Sequence, residues 1–347
     1  MRKIRVLVCE DSFVFRQLLV RNLEKDPMIE VVAVAGDPFE ARDQILKLHP
    51  DVMTLDIELP RMNGLDFLRK LMPQYPMPVV VISSLSDKVF DAMHAGAVDF
   101  VAKPLMTDKE KLSILLERDL PTKIKIASTA SISNLKKMIH TAEQKLEQEA
   151  SQYGEGRVVA IGASTGGTEA IAKLLHGFGP DVPPIVMVQH MPAGFTEMFA
   201  ERLEGECRIH VREAKNGDKL EQGLALLAPG GDKQMRVVKT SDGYQVELKA
   251  GERVNGHCPS VDVLFHSVAQ AVGDKAVGII LTGMGGDGAR GMLDMRDHGA
   301  LTIGQDESTC VVYGMPKVAN DIGAVMHQEK LENIAYKTYA LLKSKHN

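Results

Sequence analysis

The sequence predicts an α/β protein built from two units, and three observations carry that prediction. Short apolar runs rich in β-branched residues alternate with segments of helical periodicity, the pattern of a parallel sheet with helices on both faces. A single polar stretch near the middle, rich in Ser, Glu, Gln and Lys, interrupts this texture. The length, 347 residues, divides into roughly two domains of about 150 residues.

Taken in order, apolar runs at Ile4–Cys9, Val31–Ala35, Val52–Leu55, Val79–Ile82 and Val98–Val101 predict five strands, with helices such as Phe13–Leu23 and Pro38–Leu48 between them. Five βα units of this size predict a flavodoxin-like doubly wound five-stranded parallel sheet over residues 1–121. The polar stretch predicts a linker over residues 122–156, with a short exposed helix at Asn134–Glu149. Residues 157–347 then predict a mainly parallel α/β sheet with an antiparallel insertion. Its strands are expected at Val158–Ile161, Pro184–Val188, Ala276–Leu281 and Leu301–Ile303. Its helices are expected at Thr168–Leu175, Phe195–Leu203, Val261–Ala271 and Gly288–Asp297. The segments LALLAPGG, QMRVVKT and YQVELKA read as a β-meander, with Ser241-Asp242-Gly243 as a turn.

Composition narrows the function classes. Subtracting 46 acidic from 41 basic residues leaves a net charge of −5. A nucleic-acid binder normally carries a strong basic excess, so no nucleic-acid partner is expected. No apolar run approaches the ~20 residues of a membrane span, so no membrane insertion is expected. The amino-terminal MRKIRVLVCEDS places an acidic pair where a secretory signal has its small-residue cleavage site. Cys9, Cys207, Cys258 and Cys310 lie far apart without a CxxC pair, which reads as reduced thiols in a cytoplasmic protein.

Ligands of doubly wound sheets bind at the carboxyl ends of the strands. Glu10 and Asp11 follow the first predicted strand, Asp56 ends the third, Ser83 the fourth, and Lys103-Pro104 follows the fifth. A lone strand-end Asp is commonly a cap or turn residue, but four features in order along one edge argue for a shared site. Three converging carboxylates repel one another unless a cation binds, and oxygen-only ligands in an open site suit Mg2+. Lys103 and the Ser83 hydroxyl would hold the oxygens of a transferred phosphoryl group, with Asp56 as its acceptor. The constellation resembles the receiver domain of two-component response regulators over essentially all of residues 1–120. The resemblance implies that a histidine kinase phosphorylates Asp56. It also implies that Glu10, Asp11, Asp56 and the carbonyl of Glu58 bind Mg2+, and that Ser83, Phe100 and Lys103 sense the phosphoryl group. Glu10 stands where Asp is also common.

A second constellation lies in the carboxyl-terminal half. VVAIGASTGGTEAI runs from a strand into a helix and sets Ser164 in a turn of minimal side-chain bulk. Such a turn exposes a nucleophilic hydroxyl and offers backbone amides to an oxyanion. A glycine-rich turn can equally cradle a phosphate, yet no GxGxxG is completed and no P-loop lysine is present. His190 closes the next strand as a candidate base, and Asp287 sits in Gly-Gly-Asp-Gly after a third buried strand. Singly, each is as readily a bland surface or turn residue; together they form a coherent Ser, His and Asp set. Glu169 and Asp262 remain alternative orienting acids, because spacing does not exclude them.

The motifs GASTGG, VQHMPAGFTEMFAERL, PSVDVLF, LTGMGGDGARGM and VVYGMPK resemble the catalytic domain of bacterial chemotaxis protein-glutamate methylesterases. A receiver joined by a linker to that domain resembles the whole enzyme. The resemblance implies a Ser164 nucleophile, a His190 general base and acid, an orienting Asp287, and oxyanion donors in the amides of Thr165 and Met284. It implies methyl-accepting chemoreceptors as substrate, demethylated at glutamate γ-methyl esters and deamidated at glutamines, with no cofactor for the ester chemistry. It implies too that the unphosphorylated receiver blocks the catalytic face and that phosphorylation relieves this. Departures are Gly286, where a larger polar residue is frequent, and Cys258 and His266, where Arg is usual or common. Cys258 reads as a small packed thiol, not a nucleophile, because nothing adjacent lowers its pKa. Two rival readings stay open: a phosphorylation-dependent scaffold without catalysis, and a DNA-binding regulator, for which the sequence offers neither a helix-turn-helix nor a basic face.

Overall fold

Strands form where the sequence concentrates Val and Ile, and the most apolar of them are covered on both faces. The computed structural model describes residues 2–84, 88–134 and 156–344. The chain divides into units Met1–Thr141 and Ala142–Asn347.

The first unit runs β1 (Ile4–Cys9), α1 (Phe13–Leu23), β2 (Ile29–Ala35), α2 (Pro38–Leu48), β3 (Val52–Asp56), α3 (Gly64–Gln74), β4 (Val79–Ser83), α4 (Lys88–His94) and β5 (Asp99–Ala102). A last helix follows as α5 (Lys109–Ile114), a π-helical turn (Leu115–Asp119) and α6 (Leu120–Ala127). The five strands are parallel in the order β2-β1-β3-β4-β5. All residues of β3 and β4 are buried, as expected for strands sandwiched between helices. Side-chain caps start the helices: Ser12 accepts from the Phe15 amide, Asp37 from Phe39 and Glu40, and Asn63 from Asp66. The expected linker start at residue 122 is corrected here. Helix α6 continues to Ala127 because Leu120, Ile124 and Ala127, spaced along one face, are fully buried. The exposed helix expected at Asn134–Glu149 lies, beyond its first residue, outside the described residues.

The second unit runs β6 (Val158–Ala163), α7 (Gly167–His176), β7 (Ile185–Gln189), α8 (Phe195–Glu206), β8 (His210–Glu213), β9 (Leu224–Leu227), β10 (Lys233–Thr240), β11 (Gly243–Ala250) and α9 (Val261–Val272). It continues with β12 (Ala276–Ile280), α10 (Ala289–Asp297), β13 (Leu301–Gln305), α11 (Met315–Asp321), β14 (His327–Glu329) and α12 (Leu331–Ser344). Seven strands pair in parallel in the order β14-β13-β12-β6-β7-β9-β8. The sheet therefore grows outward from β6 in both directions, which makes the carboxyl ends of β12, β6 and β7 its topological switch point.

The three-stranded meander is also corrected. Leu224–Leu227 joins the large sheet in parallel with β7 and β8, and only β10 and β11 form an antiparallel pair. That hairpin buries Met235, Val237 and Val246 in a cluster with Val261, Leu264, Phe265 and Val268 of α9. Each such fully buried apolar side chain stabilises by roughly 1.5–3 kcal/mol. Two hydrogen bonds fix the contact: the Val237 amide donates to Ser267 Oγ at 2.9 Å, and the Ser260 amide to Gln234 Oε1 at 2.8 Å. The hairpin thereby sets the position of the amino end of α9.

Candidate active site and acidic cluster

The register of β6 and β7 pairs Ala163 with Gln189. Ser164 and His190 thus leave the sheet side by side, with the His190 amide donating to the Ala163 carbonyl at 3.2 Å. The Ser164 amide donates across to the Thr282 carbonyl at 3.0 Å, tying the serine turn to the end of β12. Gln189 Nε2 donates to the Ser164 carbonyl at 2.9 Å from the other side. The serine turn is held by both neighbouring strands.

The loop after β12 delivers Asp287, whose Oδ2 lies 2.8 Å from His190 Nε2. The aspartate is 1% exposed and fully partnered. Asn255 Nδ2 and Ser260 Oγ donate to its Oδ1 at 3.0 and 2.7 Å. The amides of Val261 and Asp262, the first turn of α9, donate at 2.7 and 3.2 Å. Burial alone would raise the Asp287 pKa, but the His190 hydrogen bond and charge, with Asn255 and Ser260, hold its carboxyl well below the usual range. A helix amino terminus favours the same ionised state. The two rival acids are engaged elsewhere. Asp262 accepts from the Gly291 amide at 2.7 Å and from Asn255 at 2.6 Å, and Glu169 faces Arg202 at 3.6 Å.

An ionised Asp287 accepts a hydrogen bond from Nε2–H, which leaves Nδ1 as the ring nitrogen free of the carboxylate. Nδ1 is buried and has no hydrogen-bond partner among the described residues. Of the two expected oxyanion donors, the Met284 amide has no acceptor among the described residues. Thr165 is buried, and its carbonyl accepts from Thr282 Oγ1 at 3.0 Å. Cys258 donates weakly to the Gly251 carbonyl at 3.8 Å, and burial pushes its thiol pKa up, the opposite of an activated nucleophile. His266 pairs with Asp294 at 2.8 Å.

Sequence reasoning passed over Asn255 and His257. They sit in a tight turn, Val254-Asn255-Gly256-His257, closed by reciprocal backbone hydrogen bonds of 2.9 Å between Val254 and His257. The φ angles of Asn255 and Gly256 are +52° and +85°, as a type I′ turn demands at both central residues. The dipeptide Asn-Gly was the available signal. The turn sends Asn255 to Asp287 and stacks the His257 ring on His190, with centroids 3.6 Å apart and planes within 6°.

In the first unit, Glu10, Asp11 and Asp56 place carboxylate oxygens within 4.8 Å of one another at the carboxyl ends of β1 and β3. Glu10 and Asp56 are buried, whereas Asp11 is exposed. Lys103 Nζ reaches Glu10 at 2.9 and 3.1 Å and also donates to Asp56. Burial pushes the Glu10 pKa up to about 7, with Lys103 opposing and the Asp56 charge adding to the shift. Burial works against the Lys103 charge, but its bonds to Asp56 and Glu10 outweigh that and raise its pKa. The Glu58 amide donates to Asp56 Oδ1 at 2.9 Å. Ser83 is buried beside them with its hydroxyl on the Ser84 carbonyl at 3.0 Å. Phe100 is buried edge-on to Phe90 at 6.3 Å. An all-oxygen set with one solvent-facing member fits a hard divalent cation that retains water.

The first unit thus carries a carboxylate cluster at its strand ends, and the second a serine, a histidine and an aspartate at its switch point. Residues 6–116 match the response regulator receiver domain family, and residues 159–338 match the CheB methylesterase family. The chain belongs to the CheB methylesterase family. It is 55% identical to a protein-glutamate methylesterase/protein-glutamine glutaminase of Syntrophomonas wolfei, covering 99% of this chain and 98% of the relative. A second relative so named, from Syntrophotalea carbinolica, is 51% identical over 98% of both chains. The crystal structure of the Thermotoga maritima CheB methylesterase catalytic domain superposes with a TM-score of 0.52 at 33% identity, covering 55% of this chain and 100% of that one. No helix among the described residues is long and apolar enough to cross a membrane.

Proposed function

We propose that the protein is a phosphorylation-regulated serine hydrolase that removes methyl groups from glutamate γ-methyl esters of chemoreceptors and deamidates their glutamines. The observation that carries this reading is the 2.8 Å contact of His190 Nε2 with Asp287, beside Ser164 at the end of the adjacent strand. Ser164 Oγ attacks the ester carbonyl and gives its proton to His190 Nδ1. The negative charge on the carbonyl oxygen falls to the Met284 and Thr165 amides, each such donor being worth about 3–4 kcal/mol in the transition state. Collapse expels methoxide, which takes the proton from Nδ1 and leaves as methanol. Water then repeats the sequence on the acyl-serine, restoring Ser164 and freeing the receptor with a glutamate carboxylate in place of the ester. A glutamine substrate differs only in losing ammonia.

In the receiver, Asp56 is the proposed phosphoacceptor, served by a histidine kinase. Mg2+, held by Glu10, Asp11, Asp56 and the Glu58 carbonyl, supplies neutralising charge to the phosphoryl oxygens when bound. Lys103 pairs with the transferred group, Ser83 offers it a hydroxyl, and Phe100 follows the rearrangement. Phosphorylation relieves inhibition of the hydrolase in the cytoplasm, a compartment that the cysteines, all free, suit. The test is methanol release from methylated receptor fragments, with and without a small phosphodonor and Mg2+. Wild type is expected to release methanol faster with the donor. Ser164→Ala is expected to abolish release while still accepting phosphate. Unaltered release by Ser164→Ala would overturn the reading.

A further inference from the structure

Beyond the three residues of the proposed hydrolase, the structure singles out a fourth. We infer that His257 is a positioning residue for His190: its ring is the wall against which the reacting imidazole is held. The inference rests on the hydrolase reading above.

One nitrogen of His190, Nε2, is hydrogen-bonded to Asp287 at 2.8 Å, and the other, Nδ1, has no partner among the described residues. Beyond its covalent attachment at Cβ, the ring has one hydrogen bond, so rotation about its side-chain torsions is opposed at Nε2 alone among its polar atoms. Any swing moves Nδ1 relative to Ser164 Oγ, the one motion that proton transfer cannot tolerate. Displacements of about 1 Å in such a geometry cost on the order of 100-fold in rate. Face-to-face contact with His257, at 3.6 Å and 6°, closes that freedom because tilting His190 drives it into the second ring.

His257 is itself rigidly placed. It occupies the fourth position of the Asn-Gly turn, bonded through both its amide and its carbonyl to Val254. The Arg253 guanidinium braces the turn through the Gly256 carbonyl at 3.1 Å. Asn255, at the turn's centre, bonds Asp287 and Asp262 at 3.0 and 2.6 Å. One four-residue turn therefore fixes both the carboxylate that aligns Nε2 and the surface that aligns the ring plane, so the two restraints cannot drift apart. Stacking on a planar partner is the working feature, and proton exchange by His257 is not.

Three variants of the full chain test this, alongside wild type. His257→Ala removes the wall, His257→Phe keeps a planar ring without a titrating nitrogen, and Ser164→Ala controls for the hydrolase reading itself. Methanol release is followed for kcat and KM, and the downfield imidazole proton of His190 bonded to Asp287 is followed by nuclear magnetic resonance. His257→Ala is expected to lower kcat about 10- to 100-fold with KM within about two-fold, and to broaden or lose the downfield proton. His257→Phe is expected to recover most of the lost kcat and the resonance. The inference is overturned if His257→Ala keeps kcat within about two-fold, or if His257→Phe is as impaired as His257→Ala, which would make the imidazole chemistry essential. If wild type and Ser164→Ala release methanol equally, the hydrolase reading has failed. The resonance in the two His257 variants then still decides whether the ring is braced.

Discussion

Gly162 and Val261 approach so closely that a Cβ on the glycine would lie 2.2 Å from Val261 Cγ1. Gly162 is near the end of β6, two residues before Ser164, and Val261 is the first residue of α9, whose amide donates to Asp287. The missing side chain lets the helix amino terminus seat against the strand that carries the serine. Gly162→Ala is expected to push α9 away, destabilising the second unit by about 1–3 kcal/mol through overpacking and slowing ester hydrolysis disproportionately. Melting and methanol release check it. A variant that melts like wild type and keeps its rate would contradict the packing argument.

Asp287→Asn removes the charge that, in the proposed mechanism, orients His190 through Nε2. Hydrolysis is expected to fall about 10⁴-fold, the scale seen when a triad carboxylate becomes an amide. Stability should change with pH in a defined sense. The Asp287 pKa is held below its ordinary 3.8, so the folded chain binds fewer protons here than the unfolded chain. Its contribution is complete above that value and is lost as pH falls toward the depressed folded pKa. Wild type should therefore show a steeper acid loss of melting temperature than Asp287→Asn below about pH 5. Parallel acid limbs would refute the assignment.

Asp56→Asn deletes the proposed phosphoacceptor while retaining a similar shape beside Lys103. The phosphodonor-dependent rise in methanol release is expected to vanish, and radiolabelled phosphoryl transfer to the chain with it. Chelation of Mg2+ should abolish labelling of wild type equally. Continued labelling of Asp56→Asn would place the acceptor elsewhere.

Ile124→Ala probes the extension of the receiver beyond residue 121. Ile124 is fully buried, so its truncation is expected to cost about 2–5 kcal/mol, seen as a lower first melting transition of the full chain. A solvated linker residue at that position would leave the transition where it was.

Much of this architecture was readable from sequence, for identifiable reasons. Continuous Val- and Ile-rich runs bounded by helical segments have few other solutions, and Ser164, His190, Asp287, Asp56 and Lys103 each follow such a run. What resisted reading shares a cause: local pattern does not reveal the partner. LALL suits a parallel or an antiparallel strand equally, and only pairing with β7 and β8 decides. The Lys and Ser content after Pro121 masks the buried spacing of Leu120, Ile124 and Ala127. Spacing alone does not separate Asp262 from Asp287, the orienting acid that the resemblance implies; the cap of α9 sets Asp287 against His190 and Asp262 against Gly291. The Asn-Gly turn was in plain view, but nothing in its letters says which rings it brings together.

Strand β12 takes its place beside β6 only after more than a hundred intervening residues, including the β10–β11 hairpin, have been laid down. A nascent chain that has emerged only as far as β11 already carries Ser164 and His190 but lacks Asp287 and the Thr282 carbonyl that holds the serine turn. Ser164, His190 and Asp287 therefore meet only after β12 has been laid down beside β6, so a ribosome stalled before residue 287 releases a chain without the carboxylate that the proposed hydrolase needs.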